Sequence, residues 1–173
     1  MKTIVDIKQI FYGEPMTAGP LNGAAVKAFI ENVATKEITN VHASTWTYEE
    51  QEGTTTPYIN QLNGQTYYLD SEPGSRTISF TIGQYDYATK ADLQGGTATA
   101  TSWIASKNQG IINKCMVAVT KDDTYIVMPK AQIGVRTGMV ESKLIGLNLT
   151  ATPLETGVDN LDSEGWFDAS EVA

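Results

Sequence analysis

Residues 76–82 read RTISFTI, so that Ile78, Phe80 and Ile82 alternate with Thr77, Ser79 and Thr81; the same alternation returns in Ile145, Leu147, Leu149 and Ala151. A two-residue apolar repeat puts every large side chain on one face of an extended chain, whereas a helix of about 3.6 residues per turn would scatter them. The repeat therefore demands strands with one buried face, which is the habit of antiparallel sheets. Other segments carry the β-branched and aromatic composition of strands: 41–48 (VHASTWTY), 65–70 (QTYYLD), 97–103, 131–137 and 143–154. Residues 113–120 and 124–129 form a predicted hairpin about Lys121, Asp122 and Asp123. The turn residues Ser71, Glu72, Pro73 and Gly74 separate the strand at 65–70 from the one at 76–82.

Two places break the extended pattern. After Gly83 the period changes, Asp86 is a good N-cap, residues 87–93 suit a short helix, and Gly95-Gly96 supplies a stop. Earlier, Asn22 can cap a helix over 22–35 in which Val26, Phe29, Ile30 and Val33 share a face, although residues 26–33 also come close to strand alternation. Upstream, Gly13, Pro15, Gly19 and Pro20 exclude a long regular element, so residues 1–21 read as a strand or arm followed by irregular chain.

Two segments resist a compact sandwich. Residues 49–64, EEQEGTTTPYINQLNG, have no period and read as a long inter-strand loop, a type uncommon unless functional. The tail over 155–173 is acidic yet carries Leu161, Trp166 and Phe167, which suggests docking onto this subunit or a neighbour.

A chain of 173 residues is one domain on size grounds, divided here into an N-terminal arm (1–21), a β core (22–154) and an acidic C-terminal arm (155–173). The formal net charge is −8, and its placement is uneven. Residues 37–75 hold Glu37, Glu49, Glu50, Glu52, Asp70 and Glu72 with no Lys or Arg, while 155–173 hold Glu155, Asp159, Asp162, Glu164, Asp168 and Glu171, again unopposed. Such segments repel nucleic-acid phosphates. No apolar run is long enough to span a bilayer. Asp6, Lys8 and Gln9 interrupt any leader-like apolar region, so a cytoplasmic origin is expected, and the single Cys115 agrees with it.

Catalytic chemistry has few candidates. His42 lies in a predicted strand, and no G-x-S-x-G elbow accompanies it. Cys115 falls in phase with Val117 and Val119, the position of a small core hydrophobe. The run DNLDSEG at 159–165 has oxygens for calcium without EF-hand spacing. Glu49-Glu50 and Asp122-Asp123 are adjacent acids in polar segments, and Gly95-Gly96 precedes a strand, so it makes no phosphate loop. The expectation is no enzyme, no cofactor and no metal site.

The order of arm, strand, long loop, paired strands, short helix and further strands resembles bacteriophage tail tube proteins. The likeness rests on TISFTIGQYDYATKADLQGG, on TYIVMPKAQIGVRT and on KLIGLNLTATPL. It implies an antiparallel β-sandwich or barrel of tail-tube type with one or two flanking helices, whose subunits form stacked hexameric rings that conduct DNA without binding it specifically. It also implies residence in the virion tail after assembly in the host cytoplasm, beside tape-measure and terminator proteins and away from any membrane. On this likeness the helix after Asp86 caps sheet edges. The loop residues Glu49, Glu50, Glu52, Thr55, Pro57 and Tyr58 reach the next ring, and Phe11, Tyr12, Trp166 and Phe167 dock arms on neighbours. Glu49, Glu50, Glu52, Asp70 and Glu72 become candidates for an acidic lumen. A related secretion tube or tail terminator fits the same pattern. The different-class alternative is a β-sandwich binding module for carbohydrate or a cell surface, with Trp46, Tyr48, Tyr58, Tyr67 and Tyr68 as its platform.

Overall fold

The structure, a computed structural model, describes residues 3, 4 and 6–173. Met1, Lys2 and Val5, which belong to the expected arm and to the leader reading, lie outside the described residues. In chain order the elements are β1 (Ile7–Gly13), α1 (Gly23–Glu31), β2 (Lys36–Ile38), β3 (Thr47–Glu50), β4 (Thr54–Ile59), β5 (Thr66–Glu72) and β6 (Arg76–Ile82). They continue with α2 (Tyr87–Gln94), β7 (Thr97–Ala98), β8 (Trp103–Ile104), β9 (Ile112–Thr120), β10 (Thr124–Val140), β11 (Leu144–Pro153), β12 (Gly165–Asp168) and α3 (Ala169–Val172). The protein is mainly β, with antiparallel sheets and short helices.

The main sheet runs β2-β1-β9-β10-β11-β6-β3, with β12 also paired to β10. It curls about the larger of two buried clusters. Ile10 and Tyr12, Met116 and Ala118, Ile126 and Met128, Leu147, Leu149 and Ala151, and Ile78, Phe80 and Ile82 all enter one buried cluster, each set at the two-residue spacing of its strand. A bridge from Val41 to Ile82, with the His42 amide donating to the Thr81 carbonyl at 2.8 Å, brings the chain after β2 against β6 and nearly closes the barrel.

β10 is long because it bends. Its register with β9 slips between Met128 and Ala131, where Pro129 and Lys130 make a bulge opposite Cys115. Proline has no amide hydrogen to give the ladder, so a bulge is where a strand tolerates it. The slip also changes phase, from Ile126 and Met128 to Ala131 and Ile133, which keeps the core row continuous around the bend. Before the bulge β10 pairs with β12, and after it with β11, so the C-terminal strand takes up the edge that β11 leaves.

The other face of β9 is buried as well. Cys115, Val117, Val119 and Val127 pack with Val26 of α1 and Val172 of α3, and with the partly buried Phe11, Phe29, Ile30 and Phe167. Burial on both faces explains the unbroken apolar run CMVAV, which alternation alone does not. α1 begins where Asn22 Oδ1 accepts the Ala25 amide at 2.9 Å. It stops at Glu31, so Val33, expected on its apolar face, is fully exposed.

Four expectations change. Residues 49–64 are not an irregular loop but hold the end of β3, all of β4 and the turn into β5, since β4 pairs β5 in a separate two-stranded sheet. Residues 41–48 contribute only a bridge and the start of β3. The N-terminal segment is not a free arm, because β1 sits between β2 and β9. The tail supplies β12 and α3 to its own subunit, with Leu161 buried. In each case non-local pairing supplies order that local composition conceals.

Candidate assembly surface

β3 and β6 pair Thr47 with Ser79 and Glu50 with Arg76; β4 and β5 pair Thr54 with Glu72, Thr56 with Asp70 and Tyr58 with Tyr68. The register does not slip between the two ladders, so they are one ribbon that leaves the barrel at the Arg76 end of β6. A narrow waist joins them: the Gln51 amide donates to the Ser75 carbonyl at 2.9 Å, and Ser75 Oγ donates to Gln51 Oε1 at 3.0 Å. Gly74 is needed there, because a Cβ would stand 1.6 Å from the Gln51 carbonyl oxygen. At the tip the Gly64 amide donates to the Asn60 carbonyl at 2.8 Å, and Gly64 takes φ +69°, which glycine adopts without strain.

Beyond the waist every residue of β4 is exposed. Tyr58, Ile59, Tyr67, Tyr68 and Leu69 are all open to solvent, and Leu62 at the tip is 95% exposed. Tyr58 and Tyr68 lie on one face with ring centroids 5.7 Å apart, beside Thr56 and Asp70; Thr55 and Pro57 lie on the other, opposite Ser71 and Leu69. An isolated two-stranded ribbon is marginal in water, and this one also displays apolar side chains that nothing in its own subunit covers. Glu49, Glu52, Asp70 and Glu72 form no ion pair among the described residues.

The base of the ribbon is clamped. Arg76 Nε lies 3.2 Å from Glu50 Oε1, and Arg76 Nη1 lies 3.5 Å from Glu164 Oε2. Glu164 Oε1 accepts the Tyr48 hydroxyl at 2.8 Å and the Trp166 indole N–H at 2.5 Å, while the Tyr48 and Trp166 rings meet edge-on at 5.2 Å. Glu50, beside Arg76, pushes the guanidinium further up, and burial followed by the Glu164 carboxylate raises the Tyr48 phenol. These contacts tie the C-terminal strand to the ribbon.

The expected ring-stacking residues are therefore divided. Thr55, Pro57 and Tyr58 stand on the projecting ribbon, Glu52 at its waist, and Glu49 and Glu50 on β3 inside the main sheet. Of the expected lumen acids, Glu50 is held by Arg76, Glu49 stands opposite Thr77, and Asp70 and Glu72 are on β5. The arm residues are occupied within the subunit. Phe11 packs beneath α1, Tyr12 is in the core with its hydroxyl 3.4 Å from Asp92 Oδ2, Phe167 joins the α1 cluster, and Trp166 meets Tyr48. The aromatic platform is likewise dispersed: Trp46 packs on Phe80 at 6.0 Å and Tyr48 turns to Glu164, leaving only Tyr58, Tyr67 and Tyr68 together.

Sequence reasoning missed Arg76 and Glu164, whose meeting depends on β12 joining the sheet, and it missed a second projection. β10 and β11 run past the end of β6, pairing Gly138 with Gly146, Met139 with Ile145 and Val140 with Leu144. Met139 is 65% exposed and Ile145 is 58% exposed. A signal was present: odd-numbered apolar residues in β11 begin at Ile145, one step before the first partner of β6.

His42 Nε2 lies 3.5 Å from Glu141 Oε1. Cys115 is buried, and burial pushes its thiol up. Among the described residues no group of three or more His, Cys, Asp or Glu is placed to hold a metal, and no helix is long and apolar enough to cross a membrane. Comparison with models of known protein families and with curated protein sequences finds no match.

Proposed function

We propose that this chain is a structural subunit that assembles into stacked rings, and that the assembly is the tube of a bacteriophage tail. The observation that carries the reading is the β4–β5 ribbon, which projects from the barrel with Tyr58, Ile59, Leu62, Tyr67, Tyr68 and Leu69 uncovered. A subunit gains from such an extension only when another molecule covers it.

Two further features support the tube. α2 carries Leu93 into the core, and its Asp92 pairs with Lys36 of the edge strand β2, an arrangement that supports a capping role for the short helix. The outward faces of β6, β10 and β11 carry the uncharged Thr77, Ser79, Gly134, Asn148 and Thr150, with Arg136, opposite Asn148, as the basic exception, a wall that offers DNA few contacts. Glu49 adds a repelling charge on the same face, opposite Thr77.

The test is negative-stain electron microscopy of concentrated protein after prolonged incubation, beside a Leu62→Asp, Tyr67→Asp variant. The reading predicts rings or tubes with a central hole from the natural sequence and monomers from the variant at unchanged thermal stability. Monomers at every concentration, or tubes from both proteins, would overturn it.

A further inference from the structure

The two projections stand at opposite ends of β6. The β4–β5 ribbon leaves beyond Arg76, and the β10–β11 ribbon continues beyond Ile82. Both extend a row that is buried inside the barrel. In β6 and β3 the core row is Ile78 with Tyr48, and the unslipped register carries that row out to the Tyr58–Tyr68 pair. In β10 and β11 the core row is Val135, Leu147 and Leu149, and it runs out to the Met139–Ile145 pair. Each end of the barrel thus shows an uncovered pair of apolar side chains directly across a ladder. One molecule cannot bring them together.

The charges around the two pairs are opposite in sign. Asp70 and Glu72 share the face of Tyr58 and Tyr68, and neither has an ion pair among the described residues. Lys143, in the β10–β11 turn beside Ile145, also lacks a carboxylate partner among the described residues. Glu141, the one acid in that turn, faces His42 at 3.5 Å.

We propose that the Tyr58–Tyr68 face of one copy docks on the Met139–Ile145 face of the next, with Asp70 and Glu72 directed at Lys143. The contact rests on the assembly reading above and gives it a surface. It joins two different patches of identical chains, a head-to-tail contact, and with the patches at opposite ends of β6 it propagates along the strand direction. A methionine sulfur against tyrosine rings is a favourable and adaptable pairing, and the flanking charges fix which end meets which.

Two variants that each add one cysteine test this, because Cys115 is buried and gives no background. Thr56→Cys marks the ribbon and Ser142→Cys the opposite turn. Mixed and treated with a short bismaleimide, the two should yield a covalent dimer joining 56 to 142, while each alone yields none. A 56–56 dimer would show ribbon-to-ribbon pairing and overturn the proposal, as would a 142–142 dimer or no product. Charge exchange gives a second readout. Asp70→Lys and Lys143→Glu should each raise the concentration needed for assembly about tenfold, and the two together should restore it; independent, additive losses would overturn the pairing. Failure of the tube reading is separate: tubes without the 56–142 link would retain the tube and discard this contact, whereas the link without tubes would do the reverse.

Discussion

The Tyr48 hydroxyl donates to Glu164 Oε1 at 2.8 Å across 116 positions of sequence, tying the edge strand β3 to the segment that enters β12. The carboxylate also takes the Trp166 N–H and faces Arg76, and its side chain is only 3% exposed. Hydrogen bonds to a buried charge contribute about 1.5–3 kcal/mol each. Glu164→Ala should therefore lower stability by about 3 kcal/mol in urea unfolding and speed amide exchange at residues 165–168 before the rest of the sheet. Tyr48→Phe should cost about 1–2 kcal/mol without that local effect. A Glu164→Ala change near zero would mean that the clamp holds nothing.

Asp86 begins α2 by accepting the Thr89 amide on Oδ1 at 2.6 Å, and that bond holds its carboxyl below the ordinary 3.8. A carboxylate depressed in the folded state adds stability above its unfolded pKa and loses it as the pH falls through the folded one. The helix should loosen below about pH 4. Asp86→Ala should cost about 1 kcal/mol at neutral pH, while Asp86→Asn, which keeps a capping oxygen, should cost less and remove this acid sensitivity. Circular dichroism followed from pH 6 to 2 distinguishes the two variants.

The helices α1 and α2 and the central strands were legible because their signals are local, whereas α3 lay unread in the acidic tail. Asn22 and Asp86 cap helices where composition placed them, and the alternation of Ile78, Phe80 and Ile82 marked both a strand and its buried face. The projecting ribbon was hidden because its period has no core to satisfy: TTTPYI and TYYLDSE are exposed on both faces, so polar and apolar residues need not alternate. Phe11, Tyr12, Trp166 and Phe167 suggested docking on a neighbour because aromatic residues in terminal segments lack a visible local partner. Their partners are α1, Asp92 and Tyr48, all distant in sequence. The bend in β10 was equally invisible, since Pro129 reads as the end of a strand until β9 supplies the residue opposite the bulge.

Tyr12 provides an alkaline test. Burial in the barrel raises its phenol from 10.0 to about 12. A group whose pKa is raised on folding leaves stability intact below the unfolded value and erodes it as the pH climbs toward the folded one. Stability should fall between pH 10 and about 12. Tyr12→Phe keeps the ring in the core and gives up only the 3.4 Å contact to Asp92, so it should flatten that decline. Urea midpoints measured at intervals across the range would show it, and parallel curves for the two proteins would exclude Tyr12 as the source.

Aromatic residues on the two kinds of surface should answer differently to the same change. Phe167 packs in the cluster beneath α1, next to Val127 and Val172, so Phe167→Ala leaves a cavity and should cost about 3 kcal/mol. Tyr68 meets the Tyr58 ring across the free ribbon and is 58% exposed, so Tyr68→Ala should change subunit stability by less than about 0.5 kcal/mol. Self-association should show the reverse order. Tyr68→Ala should shift sedimentation toward the monomer at concentrations where the natural sequence assembles, while any Phe167→Ala protein that remains folded should still assemble. If Tyr68→Ala instead lowered the melting temperature as much as Phe167→Ala, the ribbon would be part of the subunit's own fold and not a surface held for another copy.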